Sequence, residues 1–238
     1  MSGFRPPLLP TLFTLAVVAI CTGLGVWQLQ RLQWKRDLIA QRAAALAAPP
    51  VGLPRSGTDA GALEFHRVVA EGVYLHDKEL FLNAIGARGA AGFEVLTPLR
   101  AADGRTVFVD RGFVPSELRN PAMRRAGQPA GPVRVVGRLR VPALAKPGWF
   151  VPDNRADSNL WFWIDLKAMA AADGVADPAP FYIEADTGPN PGGWPQGRAH
   201  LPELPNDHLQ YAMTWFALAA AALVVFVLSQ RRKPGTEN

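Results

Sequence analysis

Leu8–Trp27 reads LLPTLFTLAVVAICTGLGVW, twenty residues without a charge. Crossing the hydrocarbon core of a bilayer takes roughly 20 apolar residues, so this block predicts a transmembrane helix. A second block, Tyr211–Leu228, reads YAMTWFALAAAALVVFVL and is also uncharged. A core helix of a soluble protein keeps a polar stripe, and neither block has one. The first block is too long for a signal-peptide core of roughly 7–15 apolar residues. It is followed by WQLQRLQWKR rather than by a small-residue cleavage site. Ile20 before Cys21 is equally unlike a lipidation site. Both blocks therefore read as retained anchors.

Two spans put both chain ends on one side. Arg231, Arg232 and Lys233 follow the second span, which marks that side as cytoplasmic by the positive-inside rule. The first span alone points the other way, with Arg5 before it and Arg31, Lys35, Arg36 and Arg42 after it. Long domains translocate largely regardless of charge, so the second span decides and the middle of the chain is expected outside. The net charge of +5 then belongs to basic residues flanking the bilayer and does not suggest nucleic acid. The single cysteine, Cys21, lies inside the first span, so the outer domain has no disulfide and no thiolate metal site.

Between the spans, QRAAALAAPPVGLPRSG continues the first helix and ends in a Pro/Gly linker. From Glu64 onward the chain reads as short strands bounded by Gly, Pro and Asp: RVVAEGVYL, ELFLNAI, GFEVLTPLR, TVFVDRGFVP, VRVVGRLRV and FYIEAD. TVFVD and VRVVG approach continuous burial, while RVVAEGVYL is looser. Asp103-Gly104 within AADGR predicts a hairpin turn. DLKAMAAADG, Asp165–Gly174, predicts a helix closing on its glycine. Consecutive strands on short connections imply an antiparallel sheet. The expected architecture is an α+β membrane protein. Two transmembrane helices, at 8–27 and within 205–228, flank a mainly antiparallel β domain at 64–204 that could curl into a barrel. A juxtamembrane helix and linker occupy 28–63, and a cytoplasmic tail occupies 229–238.

Enzyme signatures are missing: no Gly-x-Ser-x-Gly, phosphate loop or dinucleotide glycine fingerprint is present. Arg111 in VDRGFVP reads as an anchor for a loop, or as a ligand contact. Trp27, Arg31 and Trp34 or Lys35 share one helical face. There an arginine could snorkel toward lipid or pair with an acidic group such as a propionate or a lipid phosphate. His208, Tyr211 and Trp215 fall at i, i+3, i+7 of the second helix. Locally this stripe has two readings. One is a polar helix start capped by Asn206 or Asp207 with an interfacial aromatic belt; the other is an imidazole that ligates haem iron. Gly23 and Gly25 permit close approach of the alanine-rich second span. His200, in a proline-rich stretch, is a remote candidate for a second ligand.

Five motifs in order now resemble one family. They are GVWQLQRLQWK (Gly25–Lys35), GFEVLTPL (Gly92–Leu99), VDRGFVP (Val109–Pro115), SNLWFWIDLKAMA (Ser158–Ala170) and NDHLQYAMTWF (Asn206–Phe216). Together they resemble the Surfeit locus protein 1 family, assembly factors for cytochrome c oxidase. The resemblance implies a bacterial inner-membrane protein with cytoplasmic termini and a periplasmic domain. Its partners would be the catalytic subunit of the oxidase, the haem a synthesis machinery and the lipid bilayer. It also implies that haem a is held and handed on, with no catalysis. His208 is the implied iron ligand and Trp215 its companion; Tyr211, Trp27, Gln28 and Arg31 complete the candidate haem contacts. A membrane-anchored scaffold that docks on the oxidase without a haem role is the alternative. Where family members often carry Asn-Asn before the histidine, this chain has Asn206-Asp207. That carboxylate could accept the ring proton or repel haem propionates.

Overall fold

The structure is a computed structural model that describes residues 7–55, 57–86, 89–188, 190–197 and 204–231. His200, Arg232 and Lys233 lie outside the described residues. The chain divides into two compact units, one holding the terminal helices and one formed by the stretch between them.

The first unit contains α1 (Leu8–Ala47) and α3 (His208–Arg231). The span expected at 8–27 and the juxtamembrane helix are one continuous helix. No proline follows Pro10, which sits in the first turn where its missing N–H costs nothing, and the helix runs unbroken through Gly23 and Gly25. Both helices are long and apolar enough to cross a bilayer, and only 11% of each apolar window is buried. A soluble core helix of this composition would be mostly covered; here Leu9, Phe13, Val225 and their neighbours face outward. This fits a membrane protein whose helices present apolar surface to lipid.

The second unit is a closed barrel. Its strands are β1 (Val51–Gly52), β2 (Arg67–Tyr74), β3 (Leu80–Ile85), β4 (Ala91–Ala101), β5 (Thr106–Pro115), β6 (Pro132–Arg140) and β7 (Pro178–Ala185). The order is β1-β2-β6-β7-β5-β4-β3, and β2 also pairs with β4, which closes β2-β6-β7-β5-β4 into a ring. Most neighbours are antiparallel, as expected. The exceptions are β1 with β2 and β7 with β5, which run parallel. β7 runs parallel to β5 because it arrives by a long crossover carrying α2 (Leu166–Ala172) and inserts between β5 and β6. The β4–β5 hairpin turns at the expected Asp-Gly, with Gly104 at φ +87° and Arg100 opposite Thr106.

Val68, Leu99, Val107, Val109, Leu139, Phe181 and Ile183 fill the barrel. On the outer face, Leu80, Leu96, Phe108, Trp161, Leu166 and Met169 form a second layer under α2. β5 is thus buried on both faces from Thr106 to Gly112, with Asp110 and Arg111 included. β6 differs from expectation: within Val133–Val136 only Val135 is buried. α2 forms where predicted and ends at its glycine, and an N-cap is added by Asp165. Asp165 accepts a hydrogen bond from Ala168 N–H at 3.1 Å, and Gly174 takes φ +60° just past the end.

The central motifs are structural. Arg111 is clamped between the Glu79 carboxylate (3.3 Å), the Gly127 carbonyl and the Tyr74 ring (4.7 Å), so it anchors a loop. Gly112 takes φ +105°, and a Cβ there would stand 1.9 Å from the Gln196 carbonyl oxygen. Phe113 and Gln196 exchange two backbone hydrogen bonds at 2.9 Å, which brings that oxygen so close. Asn159, with φ +49°, receives Phe81 N–H and Trp161 Nε1–H on its side-chain oxygen and donates to the Glu79 carbonyl. It thereby seats the fully buried Trp161 against β3.

Candidate functional site

α1 and α3 pack antiparallel along a seam. On α1 the buried residues are Cys21, Gly25 and Leu32, spaced i, i+4, i+11. On α3 they are Ala212 and Ala219. Both spacings trace one face of a 3.6-residue helix. Gln28 completes the α1 face and His208 and Trp215 complete the α3 face, all three half-buried. Gly25 lies so close to Phe216 that a Cβ would meet the ring at 2.7 Å. Gly23, two residues away, turns off the seam and has nothing within 4 Å of its own absent Cβ. Of the two glycines expected at the contact, only Gly25 makes it.

At the end of the seam where α3 begins, His208 Nδ1 lies 2.7 Å from Gln28 Oε1. The two residues come from motifs 180 positions apart, and the antiparallel pairing unites them. An amide oxygen can only accept, so this contact is a hydrogen bond in the tautomer that carries the proton on Nδ1 and the lone pair on Nε2. That is the state in which an imidazole binds a metal. No cluster of three or more His, Cys, Asp or Glu side chains able to hold a bare metal ion exists among the described residues. A single imidazole could instead serve as the protein donor to a metal that brings its other donors with it, as haem iron does.

The other sequence candidates fall in different places. Trp215 shares the seam face with His208. Tyr211 is 56% exposed and lies beside that face; Ala212 takes the buried position instead. Trp27 is also exposed. The Arg31 guanidinium stacks 3.8 Å over Trp34, a cation–π pair on the outer surface of α1. Asp207 opens α3 through its backbone, its carbonyl accepting Tyr211 N–H at 3.2 Å. Asn206 Oδ1 is buried with no hydrogen-bond partner among the described residues. The Gly25–Phe216 contact was not legible in the sequence. Phe216 sits off the histidine stripe, and only the partner helix reveals its target.

The SURF1 family profile matches residues 15–220, a range that includes Gln28, His208 and Trp215. A SURF1-like protein of Monosiga brevicollis is 37% identical over 235 residues, covering 94% of this chain and 88% of the relative. Surfeit locus protein 1 of Rattus norvegicus is 37% identical over 239 residues, covering 94% of this chain and 76% of the relative. Surfeit locus protein 1 of Homo sapiens is 36% identical over 215 residues, covering 84% and 70%.

Proposed function

The chain belongs to the SURF1 family, and from that premise we propose that it is a cytochrome c oxidase assembly factor that holds haem a through His208 and passes it to the catalytic subunit. One observation carries the haem part: an imidazole at the end of a helix seam, with its Nδ1 2.7 Å from Gln28 Oε1. Haem a is cargo here, and its iron supplies the coordination chemistry. The chain's own residues orient the donor and set its strength. A single protein ligand suits a carrier, which must release what it holds. Farther along the seam, Phe216 fills the space against Gly25, so a flat macrocycle has no room at that level without parting the helices. The haem therefore belongs at the His208 end.

The membrane placement follows the charge pattern: Arg231 and the basic residues after it mark the cytoplasmic side, and the barrel lies across the bilayer. In a bacterium this is the inner membrane, with the barrel in the periplasm.

A scaffold role without haem is supported by a different observation. In the loop after β6, Leu144 and Trp149 are almost fully exposed and Phe150 is 74% exposed. Such an apolar cluster suits a docking contact with a protein partner. Co-expression with a haem a synthesis system, purification in detergent and a Soret spectrum separate the two roles. Haem a in the wild type and its loss in His208→Ala are expected. A wild-type protein free of haem a overturns the carrier role and leaves the scaffold.

A further inference from the structure

We propose that Gln28 is the positioning residue of this site: its side-chain oxygen locks His208 in the Nδ1–H tautomer, so that Nε2 is the atom offered to iron. The inference rests on the haem reading above but concerns a different residue and a property that exists without haem. An unconstrained neutral histidine side chain in water prefers the opposite tautomer, with the proton on Nε2. In that form the lone pair sits on Nδ1, crowded by the residue's own backbone. A hydrogen bond to Nδ1 reverses the preference and also fixes the rotation of the ring.

Three features of the pair suit this task. The 2.7 Å separation is short for a nitrogen–oxygen hydrogen bond. Both side chains are half-buried, so water competes weakly for the Nδ1 proton. Gly25, about one turn before Gln28, leaves room for the Phe216 ring of α3 to lie against the α1 backbone. A neutral acceptor has a further consequence. A carboxylate at this position would make the imidazole a stronger donor to iron and a more tenacious ligand. An amide orients the ring with less gain in basicity, which favours release of the cargo. Metal-binding histidines typically lose 10–100-fold in affinity when such a partner is removed.

The test uses the full chain in detergent, labelled with 15N-histidine and free of haem, with His208→Asn identifying the His208 signals. The wild type is expected to show a pyridine-type nitrogen at Nε2 and a protonated Nδ1. Gln28→Leu, which cannot accept, should move the proton to Nε2, while Gln28→Glu should keep the wild-type pattern. With haem a, Gln28→Leu should bind about 10–100-fold more weakly, and Gln28→Glu should bind at least as tightly with a lowered midpoint potential. A wild-type His208 protonated on Nε2 overturns the inference. So does a Gln28→Leu protein with unchanged tautomer and unchanged haem affinity. Wild-type protein that shows the expected tautomer but takes up no haem a refutes the carrier reading instead, so the two failures are distinct.

Discussion

Glu79 faces two arginines in the wall of the barrel unit, and removing its carboxylate takes the counter-charge from both. Arg111 donates to Glu79 Oε1 at 3.3 Å; Arg124 donates to Oε1 at 3.2 Å and to Oε2 at 2.5 Å. The three side chains are 2–5% exposed, so water cannot replace the lost partner. Truncating one member of a buried ion pair costs about 3–5 kcal/mol, because the remaining charge stays buried without compensation. For a domain of this size each kcal/mol moves the melting temperature by roughly 2–4 °C, so Glu79→Ala is expected to lower it by roughly 6–20 °C. The assay is thermal unfolding of the full chain in detergent, with hydrogen exchange over β2–β7 reporting the barrel alone. The pH dependence has a defined sign. Burial, the largest single effect, pushes the Glu79 pKa up, but hydrogen bonds from His76 and Arg124 and the charges of both arginines outweigh it. The net value lies below the ordinary 4.5. A depressed carboxyl contributes stability above the unfolded-state value and loses it as the pH falls through the folded one. Glu79→Gln should therefore flatten the loss of stability below about pH 4.5. A melting shift of less than about 4 °C in Glu79→Ala would refute the reasoning, since it would mean the arginines find other partners or water.

Gly25→Ala should loosen the helix pair by about 1–3 kcal/mol, since its new methyl meets the Phe216 ring. Phe216→Ala in the same chain should restore the pairing, read by hydrogen exchange of α1 in detergent. Gly112→Ala combines a left-handed φ with a direct clash on Gln196, so rapid proteolysis around residues 190–197 and a loss of at least about 3 kcal/mol are expected. Asp173 ends α2, and its pKa is raised to about 6: burial raises it most, Lys78 opposes and Asp77 adds. A raised carboxyl supports the fold when protonated, fully below 3.8, and that support is lost as pH rises through about 6. Asp173→Asn should then stabilise the barrel above pH 6 by about 1 kcal/mol, the full linkage being reduced because the group is only half-buried. The gain should vanish below pH 4 in denaturant titrations.

The spans, the Asp103-Gly104 hairpin and the helix closing on Gly174 were legible because each is a local pattern. The closing of the barrel was legible only as a tendency. Nothing near FYIEAD says that it will insert between β5 and β6, since that choice is made by Phe181 and Ile183 meeting Val107, Val109 and Leu139 far away in sequence. VDRGFVP looked like a loop anchor and is one, but its partners Glu79 and Gly127 carry no recognisable spacing. At the candidate site the helical stripe placed His208 with Trp215, while Tyr211 proved to lie beside the seam. Which neighbour a helical side chain meets depends on the partner helix, so the Gln28–His208 pair could be suspected only through the family motifs. The comparisons bear out the family resemblance itself.

The place of β7 in the ring has a consequence for biogenesis. A growing chain makes β2 to β6 first, and these leave the edges of β5 and β6 facing an empty slot. The strand that fills the slot is the last of the described strands to be synthesised. Until residue 185 has emerged, the domain is an open sheet with two unpaired edges, the condition most prone to wrong strand pairing. The ring thus locks only when synthesis has nearly reached the second span. A chain stopped anywhere before Ala185 would lack a closed domain as well as an anchor.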